Sequence, residues 1–349
     1  MVLLFLCLLR SVSGVAPLRI DGLVAAVLSP FDAAQQLNAS VVAAQREYLR
    51  ATGVNYVFVC GTTGESVSLT VKEREALLEA WLQTDAGVIA HVGAEAIEDA
   101  KALAAHAQAR GAIAIGAMPP SYFKPATVEA LAHTLAATCA AAPRLPCYYY
   151  HIPSMTGVEF AMMDLVSSVE ALNVTNFAGV KYTGLDTSPG YKDAQRLVDY
   201  ADGRYEVFGG REEMMLESLA IGIKGHVGSQ FNFLGDLYNG VRTSFEHNGL
   251  TSVTAPALRA LQLRGIAALE AQTAPSGVNA QKRFMRYAGV DVGDARLPYL
   301  PVTDDIDQHL SSSFSSFCEA NADLYMCGGG GGGRRRQKKD VYDEIVYAQ

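Results

Sequence analysis

The 349-residue sequence predicts an α/β protein: a (β/α)8 TIM barrel over residues 18–250, with additional C-terminal helices over 251–312. Three observations point to it. Short apolar, β-rich runs recur eight times, roughly 20–35 residues apart. Stretches with helical spacing, many of them alanine-rich, separate the runs. The span they occupy suits one such barrel, typically about 250 residues. Continuous apolar strands alternating with amphipathic helices imply a parallel sheet covered by helices. A doubly wound open sheet is the structural alternative, but G-x-G-x-x-G is missing from the first strand–helix turn.

Taken in order, residues 23–28 (Leu-Val-Ala-Ala-Val-Leu) are an unbroken apolar strand, and 41–51 carry the first helical spacing. Residues 56–60 (Tyr-Val-Phe-Val-Cys) run into a glycine turn before the helix at 71–82. The third unit is 88–92 with 96–110, and the fourth is 112–117 with 127–141. The fifth strand, 147–152, is aromatic and precedes a helix at 162–172; the sixth, 177–182, precedes one at 191–200. The units 205–208 with 212–221 and 225–230 with 233–246 complete eight, and residues 253–290 read as further helices.

Half the residues are apolar, 18% are charged and 9% are aromatic, a globular composition. The net charge is −8 even though the basic cluster 334–339 is counted in it. The body is therefore a poor surface for a polyanion, which argues against nucleic-acid binding. The six cysteines form no C-x-x-C pair and no dense framework, which argues against a disulfide scaffold and a structural zinc site. The seven histidines form no H-E-x-x-H, and no metal is expected. No apolar run approaches the length of about 18 residues that a membrane span needs.

Residues 1–17 form a leader. Its apolar start, Arg10 and the small residues after it resemble a signal peptide, although the usual positive charge before the apolar part is missing. The cytoplasm is the expected location, with the secretory pathway as the alternative. Asn38-Ala39-Ser40 and Asn173-Val174-Thr175 are glycosylation sequons that matter only in that pathway. Residues 313–349, with their glycine run and basic cluster, are expected to be a disordered tail.

Chemistry in such a barrel sits where strands end and loops begin, and four segments carry unusual residues there. Lys181 lies inside an apolar strand, where desolvation disfavours an ammonium and a neutral amine could form a Schiff base. A strand-end lysine that pairs with a carboxylate or snorkels to water is the equal alternative. Tyr148-Tyr149-Tyr150-His151 ends the fifth strand, and alternation sends Tyr148 and Tyr150 to one face and Tyr149 to the other. A phenol near the lysine could relay protons, but most strand tyrosines simply pack. Gly61-Thr62-Thr63-Gly64-Glu65 could cradle a carboxylate or be an ordinary turn with threonine caps. Gly209-Gly210-Arg211-Glu212-Glu213 could bind hydroxyls, yet acidic residues also simply favour a helix start.

Together, Gly61–Glu65, the run Tyr148-Tyr149-Tyr150-His151-Ile152-Pro153-Ser154-Met155-Thr156-Gly157-Val158, Gly179-Val180-Lys181-Tyr182-Thr183 and Gly225-His226-Val227-Gly228-Ser229 resemble the N-acetylneuraminate lyase family. That family lies within the wider dihydrodipicolinate synthase/lyase superfamily, and the resemblance covers residues 18–302. It implies a class I aldolase that splits N-acetylneuraminate reversibly into pyruvate and N-acetylmannosamine, without cofactor or metal. Lys181 matches the Schiff-base lysine, and Tyr150 the tyrosine that takes the C4 hydroxyl proton. Thr62 and Thr63 match the carboxylate grip, with Thr62 also in the tyrosine relay. Tyr122 aligns with a tyrosine donated across a subunit interface, and the family is usually tetrameric. Thr183, Gly210, Glu212, Glu213 and Ser229 match positions that contact the sugar part. The implied partners are a keto sugar acid and pyruvate.

One departure stands out: Glu212-Glu213 replaces the family's usual Asp-Glu, moving a carboxylate by about 1.5 Å. Dihydrodipicolinate synthase is one rival, but Met155 stands where that branch has a carboxylate-binding arginine. Another deoxy-keto sugar-acid aldolase is a closer rival. From another class, a non-catalytic keto-acid- or sugar-binding homologue would keep the barrel and lose the amine or the phenol.

Overall fold

The structure is a computed structural model that describes residues 14–272 and 277–328. Its strands are β1 Gly22–Ala26, β2 Tyr56–Val59, β3 Gly87–His91, β4 Ala114–Ala117, β5 Cys147–His151, β6 Phe177–Tyr182, β7 Glu206–Gly209 and β8 Gly225–Gly228. They pair in parallel in chain order and close as a barrel, β8 against β1. Around them run α1 Val42–Ala51, α2 Val71–Leu82, α3 Ile97–Arg110, α4 Val128–Ala140, the single turn α5 Pro153–Thr156, α6 Met162–Ala171, α7 Ser188–Asp199, α8 Met215–Ala220 and α9 Gly235–Asn248. Threonines start several of these helices. Thr70 and Glu73 form a reciprocal capping box at α2, which satisfies backbone N–H groups that the first turn leaves free.

The alternation of strand side chains sorts the apolar residues into two cores. Inside the barrel pack Val24, Phe58, Ile89, Ala114, Tyr148, Tyr150, Ala178, Phe208 and Val227. Val57, Val88, Ile115, Tyr149 and Val180 face outward against the helices. The register of β5 on β6 places Tyr150 opposite Lys181. Gly179 makes the close β6–β7 approach feasible, because a Cβ there would lie 1.9 Å from the Glu206 carbonyl oxygen.

The N-terminal ends of the strands form a closed floor. Glu206 of β7 accepts hydrogen bonds from the Ile20 N–H (2.7 Å), the Arg19 N–H (3.0 Å) and the Tyr148 hydroxyl (2.5 Å). The Leu18 N–H in turn donates to the Tyr148 oxygen at 2.8 Å. The segment before β1 thus seals the barrel with every one of these polar groups partnered.

After the barrel come α10 Ala255–Glu270, α11 Val278–Tyr287 and α12 Asp304–Ala320, then a 3-10 turn at Tyr325–Gly328. One expectation needs correction. The folded extension does not end at residue 312, since α12 crosses that boundary. Leu310, Phe314 and Phe317 form an apolar stripe along it, and Phe314 packs 5.4 Å from both Phe284 and Tyr287. Two disulfides are present all the same: Cys139–Cys147 ties the end of α4 to β5, and Cys318–Cys327 ties α12 to the last turn. Each pair is close in sequence, so both act as local clips rather than as a framework. Residues 1–13 of the leader and 329–349 of the tail lie outside the described residues. No helix among the described residues is long and apolar enough to cross a membrane.

Candidate active site

At the C-terminal ends of the strands, Lys181 is 6% exposed and projects from β6 among aromatic rings. Its Nζ lies 3.9 Å from the centroid of the Tyr150 ring and 4.7 Å from that of Phe58. Among the described residues no carboxylate pairs with it. The Tyr150 hydroxyl meets the Thr62 hydroxyl at 3.2 Å, and either group can be the donor. An amine, a phenol and a threonine hydroxyl therefore converge from β6, β5 and the loop after β2.

His91 of β3 backs this cluster, with its ring centroid 5.8 Å from Tyr150 and 5.7 Å from Phe58. Burial, and then the nearby Arg74 guanidinium, hold the imidazole well below the usual histidine range, so the ring is neutral. Its Nδ1 donates to the Cys60 carbonyl at 2.7 Å, leaving Nε2 to accept from the Met118 N–H at 3.4 Å. Arg74 donates to the carbonyls of His91 (2.7 Å) and Gly93 (2.9 Å), fixing the end of β3. Beside them, burial pushes the free Cys60 thiol up to about 11.

Thr62 and Thr63 are half-buried in a turn whose exit residue, Glu65, has a left-handed φ of 54°. The Glu65 N–H donates to the Thr62 carbonyl at 3.0 Å, and the Ser29 hydroxyl to the Gly64 carbonyl at 2.6 Å. The Glu65 carboxylate turns away from the mouth and pairs with Lys282 of α11 at 2.7 Å, with both side chains almost wholly buried.

On the β6–β8 side, the Thr183 hydroxyl donates to the His151 carbonyl at 3.0 Å. A Cβ at Gly210 would meet Thr183 Cγ2 at 2.8 Å, so the glycine permits the contact between the loops. Glu212 is buried, and its Oε1 accepts from the Ser229 N–H, the Ser229 hydroxyl and the Gln230 N–H, each at 2.8 Å. That oxygen is fully engaged within the protein. Burial, and then the Glu212 charge, raise the Glu213 carboxyl above its usual range, although Arg211 lies 3.2 Å away. Arg211 also reaches Asp186 at 3.0 Å. His151 stacks on Tyr182 with centroids 4.4 Å apart, and burial lowers its imidazole to about 4.

A match to the dihydrodipicolinate synthetase family spans residues 19–316. The chain belongs to that family. A curated N-acetylneuraminate lyase from Danio rerio is 37% identical over 309 residues, covering 86% of this chain and 97% of that protein. The Rattus norvegicus lyase is 32% identical, covering 85% and 92%. Among solved structures, Proteus mirabilis N-acetylneuraminate lyase superposes with a TM-score of 0.79 at 30% identity, covering 85% of this chain and 98% of that one.

The structure brings most of the residues singled out in the sequence together at one end of the barrel. Lys181, Tyr150 and Thr62 stand together with Thr63 beside them; Thr183 and Gly210 touch; and Glu212 and Ser229 are hydrogen-bonded. Tyr122 stands apart. It is 81% exposed, edge-on to the equally exposed Phe123 at 5.0 Å, on a loop whose N–H groups bond Glu95. Sequence reasoning missed His91, Arg74, Lys282 and Gln281. A lone histidine in a strand and charged or polar residues on amphipathic helices read as packing or as solvated faces. Only tertiary packing, within the barrel and of the C-terminal helices against it, brings them near the mouth.

Proposed function

We propose that this family member is a class I aldolase, a carbon–carbon lyase that cleaves N-acetylneuraminate reversibly into pyruvate and N-acetylmannosamine. The observation that carries the reading is the Lys181 amine, unpaired among the described residues and packed against Tyr150, itself hydrogen-bonded to Thr62. Lys181 Nζ adds to the C2 carbonyl of the open-chain substrate, and water leaves to give an iminium. Tyr150 takes the C4 hydroxyl proton as the C3–C4 bond breaks. The bonding pair moves into the iminium, leaving an enamine and the aldehyde of N-acetylmannosamine. Protonation at C3 and hydrolysis release pyruvate and restore the amine. The iminium is the electron sink, so the cycle balances without cofactor or metal.

Thr62 and Thr63 hold the substrate carboxylate through hydroxyl and backbone groups, and Thr62 passes the proton on from Tyr150. Thr183, Gly210, Glu212, Glu213 and Ser229 form the sugar end; for Glu212, only Oε2 is left for a ligand. Tyr122 acts from a neighbouring subunit, and its exposed ring beside Phe123 supports a homotetramer. Met155, 57% exposed in α5, offers no bidentate cation to a second carboxylate, which disfavours the synthase reaction. The two disulfides favour the secretory alternative over the cytoplasm, where thiols are kept reduced. Glycan on the exposed Asn173 of the native protein would support that location; its absence together with free thiols would return the enzyme to the cytoplasm.

The test is borohydride reduction in the presence of pyruvate, followed by mass spectrometry, beside an N-acetylneuraminate cleavage assay. An adduct on Lys181 with cleavage supports mechanism and substrate together. An adduct without cleavage moves the substrate to another deoxy-keto sugar acid. Failure to trap under conditions that trap a known lyase makes a binding protein the better reading.

A further inference from the structure

Two consecutive residues of α11 reach two different loops of the mouth. Lys282 is among the largest fully buried side chains, and its Nζ pairs with Glu65 at 2.7 Å and donates to the Ser29 carbonyl at 2.9 Å. It therefore fastens the loop after β1 to the exit of the Thr62–Thr63 turn. The other Glu65 oxygen accepts the Arg296 N–H at 2.9 Å, so both carboxylate oxygens bond to the C-terminal extension. A buried ion pair of this kind is weak evidence of stability, since desolvation offsets much of the attraction. What it supplies here is a fixed position for Glu65, whose left-handed backbone sets the turn.

Gln281, one residue earlier, donates from Nε2 to the Ser229 hydroxyl oxygen at 3.1 Å. Ser229 gives its own proton to Glu212. With its proton committed and one lone pair taken, the Ser229 hydroxyl can meet a ligand only as an acceptor. Gln281 thereby fixes the polarity that a substrate hydroxyl encounters at this point.

We propose that α11 is a positioning element of the active site: Lys282, through Glu65, sets the turn that receives the keto-acid carboxylate, and Gln281 sets the Ser229 hydroxyl that receives the sugar. This deepens the aldolase reading and rests on it. Neither residue touches the reacting atoms, so each acts on one substrate's binding rather than on the chemical step.

The experiment separates positioning from mere stability by titrating the two substrates independently in the full chain. Pyruvate half-saturation is read from borohydride trapping, and N-acetylmannosamine half-saturation from the condensation rate. Removing one charge alone leaves the other buried, so the main variant replaces both, Glu65→Gln with Lys282→Met. Half-saturating pyruvate should rise by about tenfold or more, as expected for a misplaced binding turn, while the sugar response changes little. Gln281→Leu should do the reverse, raising half-saturating N-acetylmannosamine and sparing pyruvate. Glu65→Gln alone is the second variant if the double one does not fold, because Lys282 can shed its proton beside a neutral amide.

A folded Glu65 variant that traps pyruvate at the parent's half-saturation overturns the Lys282 role. Unchanged sugar saturation in Gln281→Leu overturns the Gln281 role. If the parent itself traps no pyruvate, the aldolase reading falls and this inference falls with it; if the parent traps and the variants match it, only this inference falls.

Discussion

Tyr148 and Tyr150 lie two residues apart on one strand and face the same barrel interior, yet they belong to different environments. Tyr148 at the floor donates to Glu206 and accepts from the Leu18 N–H; burial, and then the Glu206 charge, push its phenol far up. Among the described residues, Tyr150 at the mouth has one hydroxyl partner, Thr62, and a neighbouring amine with no counter-charge. Residue type, strand and face are shared. What differs is how much hydrogen-bonding capacity the neighbours leave unused, and the spare capacity at the mouth is what a substrate can complete.

The sharpest way to break the comparison is at the mouth. Lys181→Ala should abolish cleavage, by about 10^4-fold or more if the amine is the nucleophile, and leave the melting temperature close to the parent's. Substantial residual turnover would sink the Schiff base. Tyr150→Phe should lower turnover by about 10^2–10^4-fold, the worth of a positioned proton carrier, while still trapping pyruvate on Lys181. Cleavage at the parent's rate would remove Tyr150 from the relay.

At the floor the same chemical edit should act on stability. Tyr148→Phe strips one bond from the Glu206 carboxylate and leaves the Leu18 N–H without its acceptor. The cost should be about 1–3 kcal/mol in chemical denaturation, with turnover unchanged. If Tyr148→Phe instead slows cleavage without destabilising the chain, the floor is coupled to the chemistry and the two tyrosines are not the contrast described.

Much of this was legible in the sequence because strand period and parallel order are local properties. The sixth strand, Phe177–Tyr182, stands where the residues place it, and alternation alone separates Tyr149 from its two neighbours. Strand period puts Thr62, Tyr150 and Lys181 only near strand ends, where each also has an ordinary structural reading; it is the family resemblance that singles them out. The end of the fold was not legible. Serines fill α12 between Leu310, Phe314 and Phe317, so its apolar stripe does not look like a core until α11 is packed against it. Long-range pairs were invisible as well. Nothing near Glu65 in sequence announces Lys282, and a lysine on an amphipathic helix normally reads as surface.

Glu212 tests whether the contrast between floor and mouth is really one of position. Sequence resemblance alone suggests that Glu212→Asp, restoring the family's usual residue, improves cleavage of N-acetylneuraminate. The structure argues the opposite. In this chain one Glu212 oxygen gathers three hydrogen bonds from Ser229 and Gln230, and a side chain shorter by about 1.5 Å cannot keep them unless the loop after β8 moves. The expected result is a rise in KM for N-acetylneuraminate of about fivefold, the scale of one net hydrogen bond, with pyruvate trapping unaltered. A lower KM would mean that the loop follows the shorter carboxylate and that the three bonds do not hold it. With the expected result, Glu212 is a residue at the mouth that behaves as Glu206 does at the floor. One carboxylate oxygen holds the loop after β8, and the capacity left for a sugar lies in Oε2 and in what the side chain positions.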